Sequence, residues 1–254
     1  MQDWLQRTKM LIGQRQVCSL ASRHVVIFGV GGVGGYVAEV LARSGVGTLS
    51  LIDPDTVSVT NINRQIIATT STLGQLKVDV MKHRILDINP ACQVRTFPIF
   101  YLPESAAQVP LQGADFVVDC IDTVTAKIEI IKQCHSLDIP VITCLGAANK
   151  LDPTAFRVAN LFATHTDPLA RVMRKKLRQV GIDSVMCVFS DEQPIKPTPC
   201  NSTDPPSDDS HNEPTPTISP LKPKRITPAS NAFVPAAEGL VAAAHVIRHL
   251  TALP

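Results

Sequence analysis

The stretch Val25-Val26-Ile27-Phe28-Gly29-Val30-Gly31-Gly32-Val33-Gly34-Gly35 constrains this chain more than any other. A short β-branched run enters a glycine-rich turn, and a helical pattern follows. That order predicts the strand, turn and helix that open a nucleotide-binding βαβ unit. Gly29, Gly31 and Gly34 satisfy the G-x-G-x-x-G spacing. One glycine permits the tight turn, one lets backbone approach phosphates, and one lets the helix pack closely on the strand. The helix N-terminus offers unpaired N–H groups and a partial positive charge to an anion. A second β run, Leu49–Ile52, leads into Asp53, 22 residues after Gly31, where an acidic side chain can hydrogen-bond ribose hydroxyls. Without Asp53 and its flanking runs, the same glycines would read only as a turn packing a helix on a sheet.

The rest of the first half continues that alternation. Residues 3–20 read as a weakly amphipathic helical lead-in. The helix after the turn carries Val33, Val37, Val40 and Leu41 at helical spacing, with Gly45 where it should end. Residues 54–73 show neither period, and so long a loop after a strand reads as functional. Helical patterns over 76–88 and 123–137 alternate with strand patterns over 92–97, 115–119 and 139–145, and Asn89-Pro90 stops the first helix. The expectation is an α/β fold, Rossmann-like, with a mostly parallel sheet flanked by helices.

After Gly146 the pattern changes. Strands are expected over 155–160 and 185–189, with a basic helix between them over 168–180. Residues 194–228 hold half of the chain's 20 prolines among many Ser, Thr and Asp, a composition that cannot pack a core and reads as a disordered linker. An apolar helix is expected over 236–250, too short to span a bilayer, with docking on the domain or on a second subunit favoured over lying on a membrane. The expected organisation is an N-terminal helical segment (1–22), a nucleotide-binding adenylation domain (23–193), a Pro-rich linker (194–228) and a C-terminal helix (229–254).

Composition narrows the setting. Seven scattered cysteines include no Cys-x-x-Cys pair, which suits a reducing cytoplasm and argues against a disulfide framework or structural zinc. The N-terminus lacks a signal-peptide apolar run, and no stretch reaches the roughly 18 apolar residues of a transmembrane segment. Net charge is only +2, so no overall field attracts nucleic acid, and a polyanion would need a local patch. Arg171, Arg174, Lys175 and Arg178 follow i, i+3, i+4, i+7 spacing, with Lys176 beside them, and supply one on the 168–180 helix. Lys222, Lys224 and Arg225 are the fallback.

In an open parallel sheet, ligands bind beyond the carboxyl ends of the strands. The glycine turn, Asp53, the loop Asn61-Ile62-Asn63-Arg64-Gln65 and Asp122 are expected on that edge. Arg64 and Lys77 would bring two positive charges to a triphosphate. Asp122 can hold Mg2+ on phosphate oxygens, or merely cap the helix that starts beside it.

Gly29-x-Gly31-Gly32-x-Gly34, Leu51-Ile52-Asp53-x-Asp55, Asn61-x-Asn63-Arg64-Gln65, Gly74-Gln75-x-Lys77-Val78 and Asp119-x-x-Asp122 together resemble the ThiF/MoeB/HesA superfamily of adenylating enzymes. The resemblance implies that Asp53 binds the ATP ribose, that Gly32, Asn61, Arg64 and Lys77 bind ATP, and that Asp122 acts at the phosphates and metal. It implies attack of a carboxylate on the α-phosphate, giving an acyl-adenylate and pyrophosphate. It also implies a homodimer in which an N-terminal arginine, best matched by Arg7 with Lys9 and Arg15 nearby as alternatives, reaches the partner's ATP. The later strings Gly146–Thr154, Thr164–Pro168, Val188–Glu192 and Ser230–Pro235 are similar to the tRNA threonylcarbamoyladenosine dehydratase branch. That branch implies tRNA as substrate and cyclisation of the threonylcarbamoyl group. Whether a sulfur-transfer (cysteine desulfurase) partner is needed stays open. Adenylation of a small carrier protein's C-terminus ranks second, because such relatives often carry two Cys-x-x-Cys zinc pairs. A nucleotide-sensing module and a dinucleotide oxidoreductase rank lower, since hydride transfer gives Arg64 and Lys77 no work. The cysteines read as small buried apolar residues rather than thioester nucleophiles.

Overall fold

The computed structural model describes residues 3–198 and 228–253. Seven strands form one sheet: β1 (His24–Phe28), β2 (Thr48–Ile52), β3 (Gln93–Phe97), β4 (Phe116–Asp119), β5 (Val141–Cys144), β6 (Phe156–Asn160) and β7 (Met186–Ser190). Their spatial order is β3-β2-β1-β4-β5-β7-β6. All pairings are parallel except β6 with β7, which closes one edge antiparallel. The chain moves outward from β1 through β2 to β3, then crosses back to β4. This reversal beside β1 opens the crevice in which doubly wound sheets bind nucleotides.

The described residues form seven α-helices: α1 (Gln6–Ile12), α2 (Gln14–Leu20), α3 (Gly34–Arg43), α4 (Lys77–Ile88), α5 (Val124–Ser136), α6 (Pro168–Gln179) and α7 (Val234–Thr251). The five inner strands β2, β1, β4, β5 and β7 are buried almost throughout, which is why they read as near-continuous apolar runs, whereas the edge strands β3 and β6 are partly exposed. Alternate residues of β1 divide between the two cores. Val25 and Ile27 pack with Val37, Leu41, Met81 and Val246 on the α3, α4 and α7 side. Val26 and Phe28 pack with Tyr101, Ala126 and Ile130 on the other. A further cluster seats Met173 and Leu177 of α6 under β7.

Two expectations change. The lead-in over 3–20 is two helices, because Gly13 adopts φ +93°, a conformation that ends α1 and admits α2 at an angle. The last helix begins at Val234 rather than Ala236: Asn231 Oδ1 accepts the Phe233 and Val234 N–H groups, and Pro235 occupies the first turn, where its missing N–H costs nothing. Gly239 lets α7 lie directly on α3, since a Cβ there would meet the Tyr36 Cβ at 2.9 Å. Most of the expected linker, residues 199–227, lies outside the described residues, as do Lys222, Lys224 and Arg225. At its near end, Ile195 donates its N–H to the Asn149 carbonyl at 2.7 Å, so the segment begins bonded to the domain. The long loop over 54–73 holds only two short 3-10 turns, Val59–Asn61 and Thr70–Thr72. Among the described residues, no helix is long and apolar enough to cross a membrane.

Candidate active site

The glycine turn follows β1 directly. Gly29 adopts φ +83°, and a Cβ on it would stand 2.9 Å from the Cys120 carbonyl oxygen. A Cβ on Gly34 would overlap the Gly29 carbonyl oxygen, so only glycine lets α3 start this close to β1. Beyond Gly31 a Cβ would meet only the Gln65 amide at 3.6 Å, and beyond Gly32 it would meet Pro235 at 3.2 Å and Arg64 at 3.6 Å. The turn is thus framed by the Asn61–Gln65 loop on one side and by the start of α7 on the other.

Asp53 follows β2 and is only 5% exposed. Its carboxylate accepts the Val30 N–H at 2.7 Å and the Asp55 N–H at 3.0 Å, so it braces the turn. Burial pushes this carboxyl above its ordinary range, against the pull of Lys77 and the two amides. Lys77, 3% exposed at the start of α4, forms an ion pair with Asp55 at 2.6 Å, and its N–H bonds the Asp55 carbonyl. Asp55 therefore fixes the lysine charge beside Asp53.

Asn61 is fully buried and accepts the Ser58 N–H at 3.1 Å, which closes the turn that presents Arg64. The Arg64 guanidinium folds back on the Thr60 carbonyl at 2.9 Å and the Asn63 amide oxygen at 3.0 Å. Asn63 donates its amide N–H to the Ser230 carbonyl at 3.2 Å, tying this loop to the approach to α7. Gln65 is buried, and its Oε1 has no hydrogen-bond partner among the described residues. An orphaned acceptor beside a turn that only glycine can form is the surround expected for a polar ligand. The residues present therefore fit ATP.

At the end of β4, Asp119 is fully buried and Asp122 is exposed. Thr123, not Asp122, is the N-cap of α5, and it makes no side-chain cap bond. The capping alternative therefore falls, and the Asp122 carboxylate stands beyond the end of β4, where among the described residues it touches only the Thr123 hydroxyl at 3.5 Å. As an exposed acidic oxygen donor, it fits Mg2+ held on phosphates.

Arg7 is not brought to this site within one chain. It is exposed on α1, and the neighbouring Leu5 packs at Gly45, beyond the end of α3 remote from the glycine turn. Lys9 is engaged by Asp3 at 2.8 Å. The α6 patch is also smaller than its spacing suggests. Arg174 donates to the Leu161 and Thr164 carbonyls and the Thr164 hydroxyl, and Arg178 lies over the Phe162 ring.

The sequence reading missed the buried charges that hold the site. Lys127, on α5 and fully buried, reaches Asp119 at 3.1 Å, Thr143 at 3.3 Å and the Cys144 carbonyl at 2.7 Å. Burial would lower this lysine's pKa, but the Asp119 carboxylate outweighs it and holds the value above the ordinary one. Asp119 also accepts the Ile121 N–H, so the pair anchors the loop that carries Asp122. Glu238, fully buried on α7, accepts the Gly146 N–H at 3.1 Å through Oε1, while Oε2 has no partner among the described residues. Burial pushes its carboxyl up to about 7. Lys150 donates to the Gly146 carbonyl at 2.9 Å and faces Asp167 at 3.8 Å. Charged residues inside otherwise apolar elements were the only sequence signal for these groups.

Cys92, Cys134, Cys144 and Cys187 are buried. Burial pushes the Cys92 thiol up to about 11 and those of Cys134 and Cys187 up to about 12. None has the character of a thioester nucleophile.

Residues 5–253 match the model of the ThiF family. The Bacillus subtilis (strain 168) protein named tRNA threonylcarbamoyladenosine dehydratase is 44% identical over 245 residues, covering 96% of this chain and 93% of that protein. The crystal structure of E. coli tRNA N6-threonylcarbamoyladenosine dehydratase in complex with ATP matches with a TM-score of 0.83 at 34% identity, over 99% of this chain and 96% of that one. By contrast, the Haemophilus influenzae molybdopterin-synthase adenylyltransferase matches over 133 residues, 52% of this chain, at 33% identity. Glycine turn, acidic strand ends and full-length similarity agree: the chain belongs to the ThiF family.

Proposed function

We propose that this chain is an ATP-dependent dehydratase of threonylcarbamoyladenosine in tRNA. One observation carries the reading. The segment Ser230–Pro235, one of those similar to the dehydratase branch, closes on the glycine turn itself, with Pro235 against Gly32 and Ser230 bonded to Asn63. The similarity to named dehydratases also spans nearly the whole chain, whereas that to the carrier-protein adenylating relative stops at about half of it.

In this reading ATP lies along the glycine turn. Gly29, Gly31, Gly32 and Gly34 leave room for the phosphates, and Asp53 bonds the ribose. Asn61, Asn63 and Gln65 line the loop opposite, while Asp55 holds Lys77 in register. Lys77 and Arg64 stabilise charge that develops as the threonyl carboxylate attacks the α-phosphate. Asp122 would hold Mg2+, which when bound would supply positive charge to the phosphate oxygens. The carbamoyl group then attacks the acyl carbon, a ring closes, and AMP leaves with one former carboxylate oxygen. The protein adds no covalent intermediate of its own.

The assembly is a homodimer in this proposal, and Arg7 contributes to the partner's ATP. Its exposed place on α1, away from its own glycine turn, is compatible with that role. The exposed side chains of Met10 (81%) and Leu11 (84%) give α1 an apolar face for contact. The setting is cytoplasmic, in keeping with unpaired thiols at the six described cysteines. A cysteine desulfurase partner is not required by any step above. Incubation with ATP and tRNA bearing threonylcarbamoyladenosine should remove the mass of one water from that nucleoside and release AMP and pyrophosphate. An unchanged nucleoside would refute the assignment.

A further inference from the structure

Asn149 joins three segments that are far apart in sequence. It adopts φ +61°, a left-handed conformation that asparagine tolerates. Its N–H donates to the Ala229 carbonyl at 2.8 Å, and its side-chain oxygen accepts the Ala229 N–H at 2.8 Å. Its carbonyl accepts the Ile195 N–H at 2.7 Å. Asn231 adds a bond from its amide to the Lys150 carbonyl at 2.9 Å. The loop after β5, the segment after β7 and the approach to α7 thus form one frame, around a pocket of ≈240 Å³.

The pocket's composition is mixed in a specific way. Leu151 and Ile195 line it and remain 59% and 48% exposed, unlike the apolar side chains of the two cores. Lys196 and Ser230 line it as polar groups. Lys150 is already committed to Gly146 and Asp167. Apolar surfaces for the faces of a planar ring, with a few polar groups beside them, are the usual make-up of a small-ligand site.

Its position is equally specific. β5 lies two strands from β1, about 10 Å across the sheet at the usual strand spacing. The pocket and the glycine turn share the carboxyl edge, and Asn63 bonds the pocket residue Ser230. The threonyl carboxylate extends about 7 Å from the purine ring, two residues' length of extended chain. A carboxylate at the α-phosphate therefore leaves its base about 7 Å away, on the same carboxyl edge.

We infer that the pocket between Asn149–Leu151, Ile195–Lys196 and Ser230–Asn231 receives the modified adenosine of the tRNA. This deepens the function proposed above and rests on it. Leu151 and Ile195 cover the faces of the base, and Lys196 meets the phosphate that flanks it. The frame built on Asn149 and Asn231 fixes the distance from base to α-phosphate.

The test uses the full-length enzyme, ATP, and an anticodon stem-loop carrying threonylcarbamoyladenosine. The double substitution Leu151→Ala with Ile195→Ala changes only exposed side chains and leaves the backbone bonds of both residues available. It should raise KM for the stem-loop about tenfold while KM for ATP and Tm stay at the wild-type values. Lys196→Ala, a substitution of an exposed residue, should raise the same KM and weaken its salt dependence, which gives a second route if the double variant loses stability. Wild-type KM for the stem-loop in both the double variant and Lys196→Ala would overturn the pocket assignment. A wild-type enzyme that leaves the stem-loop unchanged would overturn the proposed function and the pocket together.

Discussion

Glu238→Gln should stabilise this protein, and only above about pH 5. The wild-type carboxyl titrates at about 7 in the fold, against 4.5 for an ordinary glutamate. Between those values the native state holds a proton that the unfolded chain has released. Stability therefore falls as pH rises through this window and levels off above the native pKa. The shift of about 2.5 units corresponds to about 3 kcal/mol. Glutamine keeps the oxygen that accepts the Gly146 N–H and carries no charge to bury. Its advantage should be near zero at pH 4.5 and reach about 3 kcal/mol at pH 8, a rise in Tm of about 6–12 °C at this chain length. Thermal unfolding of both proteins from pH 4.5 to 8.5 reads the difference. A Tm difference that does not change with pH would refute the argument, because it would mean that Glu238 titrates alike in both states.

Arg64→Ala and Lys77→Ala should each slow adenylation about 100- to 1000-fold, the usual loss of one donor to developing charge, and pyrophosphate release measures it. Wild-type rates in both would remove them from the site. Lys127→Met should cost about 3–5 kcal/mol in denaturant unfolding, because it strands Asp119 as an unpaired buried charge; Asp119→Asn in the same chain should recover part of the loss. Changing Arg171, Lys175 and Arg178 to Glu should weaken tRNA binding and flatten its salt dependence without altering ATP affinity, since Arg174 is already committed within the fold. Unchanged binding across salt concentrations would mark α6 as a solvated face.

The first half of the fold was legible because its signals are local. Gly29 and Gly34 do what no other residue can at those positions, and Asp53 ends an apolar strand where a polar side chain must have a reason. The β-α alternation then leaves few topologies for the sheet. Gly13 split the lead-in because a single left-handed residue outweighs weak amphipathic spacing. The buried charges were not legible. Lys127 sits in a helix whose pattern tolerates a lysine as a solvated residue, and only the sheet register puts Asp119 and Thr143 beside it. Glu238 lies 92 residues from Gly146, and nothing in either stretch announces the other. The α6 patch was overcounted for the same reason, since spacing gives the face of a helix and not what it packs against. Arg7 was matched by its position in the chain as a residue for the partner's ATP, a role that the fold of one chain does not test.

The central claim is that a carboxylate on the tRNA attacks the α-phosphate of ATP. The most direct measurement starts from tRNA whose threonylcarbamoyl carboxylate carries heavy oxygen. After turnover with ordinary ATP, the released AMP is analysed by mass spectrometry. Attack at the α-phosphate predicts AMP carrying one heavy oxygen, with none in pyrophosphate. Heavy oxygen in inorganic phosphate, with ADP as the nucleotide product, would place the attack at the γ-phosphate and contradict the account.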